Sequence, residues 1–307
     1  MLKIGVGLFV YNRPTHTQQV LESLKQNKLS KIYIFCDAAR DSNVSLEIKQ
    51  VREIVKSIDW CEVEIVVHPH NLGTVKNIVF GVDHILKNND AVIVLEDDCL
   101  VRPDFYHFMS HGLDFYKDTQ EIFQVNGYQL PINLKKSTDW DVYFSAGGMS
   151  WGFGLWKRSW QYFRLDIDDA REYLASENAR RVLQVIPNFG QRLRSQLRNE
   201  VDSFTYRWNF IINKHGGWVV CPYLSFVNNI GCDGQGVHFR KTRRFDIKKD
   251  VWQRSIKDAS SNFRLPKVII QDEYMDYQTS KFFPKRPELL LRIYKFLKGQ
   301  LFKNKII

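Results

Sequence analysis

The sequence predicts an α/β fold in which a mainly parallel sheet is flanked by helices. Three observations lead to this prediction. The first hundred residues alternate between short apolar runs and longer amphipathic segments. The apolar runs are rich in Val, Ile and Phe along their whole length, which is typical of strands buried on both faces. No internal repeat interrupts the pattern, and 44% of the 307 residues are hydrophobic, which is ample for a core.

Four strands alternate with three helices in this first part of the chain. Asn12 and Arg13 end the first run, and Pro14 favours the first turn of a helix because its ring fixes φ. Strands joined in this way run parallel, so we expect their carboxyl ends to meet at one edge of the sheet. The predicted strands cover residues 3–11, 31–37, 63–68 and 91–95. The first predicted helix ends near residue 28, and the other two cover 45–58 and 74–88.

The chain beyond Pro103 is less regular. Glycine and aromatic residues cluster over 145–160, a basic stretch over about 170–197 has helical character, and residues 218–226 have the composition of a last strand. We therefore expect one domain over residues 1–240, followed by a basic C-terminal extension over 241–307.

The net charge of +10 is concentrated at the C-terminal end. From Lys281 onward there are eight Lys or Arg and one acidic residue, Glu288, so this segment carries +7. The rest of the chain is only mildly basic, which argues against a nucleic-acid partner.

An amphipathic helix is predicted over residues 288–302 of this extension. Its apolar residues recur at helical spacing and its lysines and arginines lie elsewhere on the helix. Such a helix can lie in an anionic membrane surface, or its apolar stripe can pack on the domain. The uneven charge favours the membrane surface. The apolar residues are Leu289, Ile293, Phe296, Leu297 and Leu301.

The cysteines indicate a reducing compartment. They are scattered and contain no C-x-x-C pair, unlike a disulfide framework or a structural zinc site. No leader with a cleavage site and no apolar run of about 18 residues is found. We expect a cytoplasmic protein, peripheral at the inner face of the cell membrane if the extension docks there. The five cysteines are Cys36, Cys61, Cys99, Cys221 and Cys232.

Three consecutive carboxylates, Glu96, Asp97 and Asp98, follow the fourth predicted strand. Asn12 and Asp37 end other strands and should converge with them at the same edge. Adjacent carboxylates repel one another, so the cluster needs a compensating positive charge. A hard divalent cation such as Mn²⁺ or Mg²⁺ supplies it and bridges to substrate phosphates. The alternative is a solvated acidic turn.

The order of motifs along residues 3–240 resembles the GT-A glycosyltransferases. The motifs are YNRP at 11–14, CDA at 36–38, HNLG at 70–73, LEDDC at 95–99 and PDF at 103–105, of which the last two are the most specific. The resemblance is to the N-acetylglucosaminyltransferase I group and to bacterial family 2 glycosyltransferases. It implies a Rossmann-like GT-A catalytic domain, with a nucleotide-binding half to about residue 100 and an acceptor half over 101–240.

The resemblance also implies roles for residues on the donor side. Asp98 would be the direct metal ligand, Asp97 would contact the donor ribose, and Glu96 would support the site or face the sugar. The end of the first strand would hold the nucleobase and ribose. Asp37 would face the uracil ring or, alternatively, be a helix or turn cap for the loop of residues 38–41. The remaining donor residues would be Tyr11, Asn12, Arg13 and Lys76, although a lysine that simply faces solvent is an equal reading of Lys76.

On the acceptor side, the resemblance implies a carboxylate as general base late in the domain. Asp202 fits best, with Glu200 in reserve, and the alternative for Asp202 is a helix N-cap. Trp151, in a glycine-aromatic loop with Gly148, would bind the acceptor sugar or be a buried core tryptophan. His238, in a glycine-rich loop, would contact the metal or the diphosphate, unless it is structural.

These inferences predict an inverting, metal-dependent glycosyltransferase that moves a hexosyl or N-acetylhexosaminyl group from a nucleotide diphosphate donor, a UDP-sugar, to a glycan hydroxyl. A glycan or lipid-linked glycan of bacterial surface polysaccharide would be the acceptor. One alternative is a sugar-nucleotide pyrophosphorylase, which expects a glycine-rich loop after the first strand, where this chain has YNRPT. The other is a non-enzymatic nucleic-acid-binding protein, which the charge distribution disfavours.

Overall fold

The computed structural model describes residues 2–135, 138–234, 241–252 and 263–283. Eight strands form one sheet in the order β3-β2-β1-β4-β8-β6-β9-β7, and β5 and β10 form a small second sheet. The predicted α/β class is confirmed. The strands are β1 Ile4–Val10, β2 Lys31–Cys36, β3 Glu62–Val67, β4 Ala91–Glu96, β5 Cys99–Val101, β6 Ile122–Asn126, β7 Val142–Ser145, β8 Phe153–Trp156, β9 Trp218–Pro222 and β10 Val227–Asn229.

Helices cover the sheet. Pro14 occupies the start of α1, as its fixed φ favours. The helices are α1 Pro14–Lys25, α2 Ser45–Lys56, α3 Gly73–Leu86, α4 Phe105–Phe115, α5 Lys157–Trp160, α6 Ala170–Ala175, α7 Arg180–Val185, α8 Phe189–Leu197, α9 Phe204–Lys214, α10 Lys249–Trp252 and α11 Glu273–Phe282.

The first four strands of the large sheet are parallel, as predicted. β1 pairs in parallel with β2 and with β4, and β2 pairs in parallel with β3. Their carboxyl ends therefore lie along one edge of the sheet, which we call the active-site edge.

The other half of the sheet is mixed. β8 lies antiparallel between β4 and β6, and β7 is antiparallel to β9. Val94 of β4 pairs with Phe153, the first residue of β8. Because β8 is antiparallel, the residues that precede Phe153 reach the same active-site edge as the end of β4.

The helical stretch predicted over 170–197 is three short helices, α6 to α8, rather than one. Pro187 restricts Ile186, whose φ of −125° and ψ of 80° are not helical, so α7 ends at Val185. Ser176 is extended, with φ −85° and ψ 159°, and ends α6.

The core continues past residue 240, where the sequence analysis places the end of the domain. Phe245 and Phe263 are buried in the core on one face of the sheet, and Met275 is fully buried in the core on the other face. The hydroxyl of Tyr128 donates to Phe245 O at 2.9 Å, and the hydroxyl of Tyr116 donates to Pro266 O at 2.9 Å. The described part of the extension is thus packed on the domain.

Within the described ranges, no helix has the length and apolarity needed to cross a membrane. The amphipathic helix predicted over residues 288–302 lies outside the described residues, as does His238.

Candidate active site

The ends of β1 and β4 are joined at the active-site edge. Tyr11, the residue after β1, donates its backbone N–H to Oδ2 of Asp97 at 3.2 Å. The hydroxyl of Tyr11 accepts from the backbone N–H of Arg40 at 3.1 Å, so this side chain contacts the loop that follows β2. The convergence predicted for the strand ends is therefore seen in the structure.

Arg13 bridges two of the three carboxylates. Its Nη2 lies 3.0 Å from Oδ2 of Asp98 and also donates to Oδ1 of Asp97. The three side chains are 15%, 14% and 3% exposed, in the order Arg13, Asp98, Asp97. Burial lowers the pKa of Arg13, but the charges of Asp97 and Asp98 raise it by a larger amount. The net effect is a raised pKa, so the guanidinium stays protonated.

A second set of contacts holds the other side of Asp98. Asn229, the last residue of β10, donates its amide to Oδ1 at 2.9 Å, and Ile230 N–H donates to the backbone carbonyl of Asp98 at 2.9 Å. A Cβ on Gly231 would lie 2.1 Å from Oδ2 of Asp98, so only glycine fits against the carboxylate there. The sequence analysis identified neither Asn229 nor Gly231. The pairing of β10 with β5, which brings them to Asp98, is a long-range contact with no local signal.

Burial and crowding alter the acidity of the triplet. Burial, with the charges of Asp98 and Asp97, raises the pKa of Glu96 to about 8 against an opposing effect of Arg13. Burial also raises the pKa of Asp97, and Arg13 opposes that rise. The positive charge of Arg13 therefore compensates this cluster of carboxyl groups, and most of the cluster is shielded from water. The alternative of a solvated acidic turn is wrong.

Asp37 organises the loop between β3 and α3. Its carboxylate accepts the backbone N–H groups of Leu72 at 2.9 Å and Gly73 at 3.0 Å, together with the amide of Asn71 at 3.1 Å. Two of these donors lie at the N-terminus of α3, so Asp37 caps that helix, whereas the cap expected from the sequence was for residues 38–41. Lys76 is exposed in the first turns of the same helix.

Asp202 lies just before α9, which reaches the active-site edge. The hydroxyls of Ser150 and Thr205 are 2.7 Å apart, which ties the start of α9 to the loop before β8. The side chain of Asp202 is 66% exposed and forms an ion pair with Arg207. Asp202 is not the N-cap, because α9 begins at Phe204 and Ser203 holds that position.

Glu200, the reserve candidate for the base, is 35% exposed. Its carboxylate pairs with Arg198, with Oε1 3.0 Å from Nε. Both candidate carboxylates therefore carry an arginine partner near solvent.

The two residues predicted to bind the acceptor are buried. Trp151 is 7% exposed and packs edge-on against Tyr128 and Phe245, with ring centroids 4.9 and 5.1 Å apart. Its ring is thus a core element rather than a platform for a sugar. Gly148 N–H donates to Oδ1 of Asn209 at 2.7 Å, and a Cβ on Gly148 would lie 2.6 Å from Nε2 of Gln124. Gly148 is therefore needed for packing between the sheet and α9.

The residues around Asp98 are compatible with a divalent cation whose other ligands would be oxygen atoms of the nucleotide-sugar donor. Carboxylates are the ligands that Mn²⁺ and Mg²⁺ prefer. The guanidinium of Arg13 lies between Asp97 and Asp98, so one positive charge already compensates this pair of carboxylates. The described residues contain no group of three His, Cys, Asp or Glu side chains that could enclose a metal by themselves.

Solved structures similar to this chain include a mannosyltransferase from Pyrobaculum calidifontis in complex with GDP-Man and Mn²⁺, at 10% identity and a TM-score of 0.42 over 70% of this chain and 69% of that one. TarS 1–349 from S. aureus aligns at 10% identity and a TM-score of 0.39, over 74% of this chain and 60% of that chain. A UDP-glucose pyrophosphorylase complexed with UDP-glucose aligns over 46% of this chain, at 14% identity and a TM-score of 0.27.

No protein-family model and no curated protein matches the chain. At TM-scores below 0.5 these similarities carry no argument about function.

Proposed function

We propose that this chain is a glycosyltransferase that transfers a sugar from a nucleotide diphosphate donor, a UDP-sugar, to a hydroxyl of a glycan acceptor. The observation that carries the proposal is the buried pair Asp97 and Asp98 bridged by Arg13 at the end of β4. A cation and a phosphate would be bound at this position, on the edge of the sheet where α/β folds bind ligands.

Asp98 is the residue we expect to hold Mn²⁺ or Mg²⁺, because its carboxylate is fixed by Asn229 and lies at the mouth of β4. Such a cation stabilises negative charge on the departing diphosphate. Tyr11 and Asn12 border the donor from the end of β1. Glu96 is proposed to support the site or to face the donor sugar.

Asp202 is the proposed general base, with Glu200 in reserve. The side chain of Asp202 is 66% exposed, which leaves the carboxylate open to an acceptor hydroxyl. Attack by the deprotonated hydroxyl on the face opposite the diphosphate would invert the anomeric centre. Lys76, exposed near the start of α3, is proposed to approach the donor phosphates, and His238 to approach the metal or the diphosphate.

The proposed acceptor is a glycan or lipid-linked glycan of bacterial surface polysaccharide, presented at the inner face of the cell membrane. The basic composition of residues 281–307 supports this proposal, since lysine and arginine are attracted to anionic lipid.

A donor screen tests the function directly. The purified protein with Mn²⁺ is incubated with a panel of nucleotide sugars, and release of free sugar and nucleoside diphosphate is measured without acceptor. We expect slow hydrolysis of one donor, abolished by EDTA and by Asp98→Ala. Formation of sugar 1-phosphate only when pyrophosphate is added would indicate a pyrophosphorylase instead. Full activity of Asp98→Ala would contradict the proposed metal site.

A further inference from the structure

Both carboxylate oxygens of Asp98, the proposed metal ligand, have a partner in the structure. Oδ1 of Asp98 accepts the amide of Asn229 at 2.9 Å, and Oδ2 lies 3.0 Å from Nη2 of Arg13. The backbone of Gly231 lies against the same carboxylate. Of the two oxygens, Oδ2 is the one whose partner sits on a long side chain that can change rotamer.

Arg13 is well placed to make such a change. It lies in the short link between β1 and α1, at the N-cap position, and its side chain is 15% exposed. Arg13 also pairs with Asp97, which is only 3% exposed. The guanidinium can therefore keep one carboxylate partner while it gives up the other.

Charge balance gives a reason for the exchange. Asp97, Asp98 and Arg13 together carry one negative charge. With a divalent cation alone, the group would carry one positive charge, and the guanidinium would repel the cation at short range. A divalent cation together with the diphosphate of a nucleotide sugar, which carries two negative charges, adds no net charge, and the phosphate offers Arg13 a new partner.

We propose that Arg13 is an exchangeable counter-ion, which neutralises Asp97 and Asp98 in the donor-free protein and releases Oδ2 of Asp98 when a divalent cation and a diphosphate bind together. This proposal rests on the proposed function. It makes metal binding depend on donor binding, so that the metal alone binds weakly and the metal with the diphosphate binds tightly.

The test is a titration of the full-length protein with Mn²⁺ alone, in which free Mn²⁺ is followed by electron paramagnetic resonance. Arg13→Gln removes the positive charge and leaves a shorter, neutral polar side chain. It should bind Mn²⁺ at least about tenfold more tightly than the wild type, since a repelling charge within a few ångströms is lost. Addition of UDP should tighten Mn²⁺ binding strongly in the wild type and much less in Arg13→Gln.

Three controls separate the local effect from others. Arg171→Gln, on the exposed side of α6, changes the net charge equally and should bind Mn²⁺ like the wild type. Arg13→Gln combined with Asp98→Asn should lose the gain. Arg13→Lys keeps the charge on a shorter side chain without the planar fork of the guanidinium, which should weaken its contact with Oδ2 of Asp98, so its affinity should fall between the wild type and Arg13→Gln.

Equal Mn²⁺ affinity of the wild type and a folded Arg13→Gln protein would overturn the proposal, as would a gain that persists without Asp98. If Arg13→Gln does not fold, an affinity of Arg13→Lys equal to that of the wild type overturns it. The proposed function fails separately, when the wild type hydrolyses no nucleotide sugar, because the Mn²⁺ titrations involve no sugar transfer.

Discussion

The amide of Asn229 donates a 2.9 Å hydrogen bond to Oδ1 of Asp98 across 131 positions of sequence. Because the same amide group also accepts Gly231 N–H at 3.0 Å, its orientation is fixed from two sides. Asn229 therefore sets the direction in which the carboxylate of Asp98 faces the donor site.

Loss of this amide should impair the site without unfolding the chain. We expect Asn229→Ala to lower Mn²⁺ affinity in the presence of UDP, or turnover, by roughly 10–100-fold, the usual effect of removing an outer partner of a metal ligand. Isothermal titration and donor hydrolysis measure these quantities. Unchanged values for both would show that Asp98 is oriented without Asn229.

Gly231→Ala should be more damaging than its small size suggests. The added methyl would lie 2.1 Å from Oδ2 of Asp98 and 2.8 Å from Nη1 of Arg13, so the carboxylate has to move. We expect loss of donor hydrolysis and a lower melting temperature. Gly190→Ala is the matched control, because its nearest neighbour would be 3.5 Å away, an ordinary contact. Equal behaviour of the two variants would contradict the close approach to Asp98.

The two candidate bases are separated by a pair of isosteric variants. Asp202→Asn should lower transfer turnover by roughly 10²–10⁴-fold with little change in donor affinity, since a general base acts in the chemical step. Glu200→Gln, which removes a carboxylate paired with Arg198, should leave turnover near wild type. The reverse result would assign the base to Glu200.

Asp276 should make stability depend on pH. It is 7% exposed in α11, and burial raises its pKa to about 6 although the side chains of Gln271 and Ser145 donate to it. Asp272 adds to the rise and Arg181 opposes it. A pKa raised by folding means that the protonated form stabilises the fold. This stabilisation is complete below about pH 4 and is lost as the pH rises through about 6.

Asp276→Asn should remove this dependence. We expect the variant to gain stability relative to the wild type between pH 4 and pH 7, by at most about 3 kcal/mol for a shift of roughly two pKa units. Chemical unfolding at several pH values measures the difference. Asp59→Asn, at an exposed carboxylate, is the control and should give parallel curves. A constant difference between wild type and Asp276→Asn across this range would contradict the raised pKa.

Removal of residues 287–307 tests the predicted membrane contact. We expect activity on a soluble acceptor analogue near wild type, and a sharp loss of binding to anionic liposomes. Liposome binding by the full chain should weaken as salt is raised, because screening shortens the range of charge attraction. Equal liposome binding by both proteins would contradict the membrane proposal. Loss of soluble activity would indicate that this segment packs on the domain.

The sequence predicts the parallel half of the sheet closely. Each of the first four strands begins and ends within one residue of its predicted bounds, because an unbroken apolar run and a polar end are local signals. The mixed half could not be predicted in this way. β8 is four residues long, and its antiparallel place between β4 and β6 depends on tertiary partners.

The candidate site likewise has a part that the sequence predicts and a part that it does not. The triplet at the end of β4 and Arg13 are brought together as the strand ends imply. The glycine-rich setting of Trp151 fits either an acceptor-binding ring or a buried core tryptophan. The choice between them depends on Tyr128 and Phe245, which are distant in sequence and cover the ring. Asn229 was missed for the same reason, since only the pairing of β10 with β5 brings it to Asp98.

The pairing of β5 with β10 has a consequence for biosynthesis. A chain emerging from the ribosome can complete β1 to β4 long before residues 227–231 are made. During that interval Asp98 has its neighbours Arg13 and Asp97 but lacks Asn229 and Gly231. The carboxylate that we propose to bind the cation therefore acquires its final orientation late in synthesis, and a nascent chain that ends before β10 should bind cation and nucleotide poorly even when its first four strands have formed.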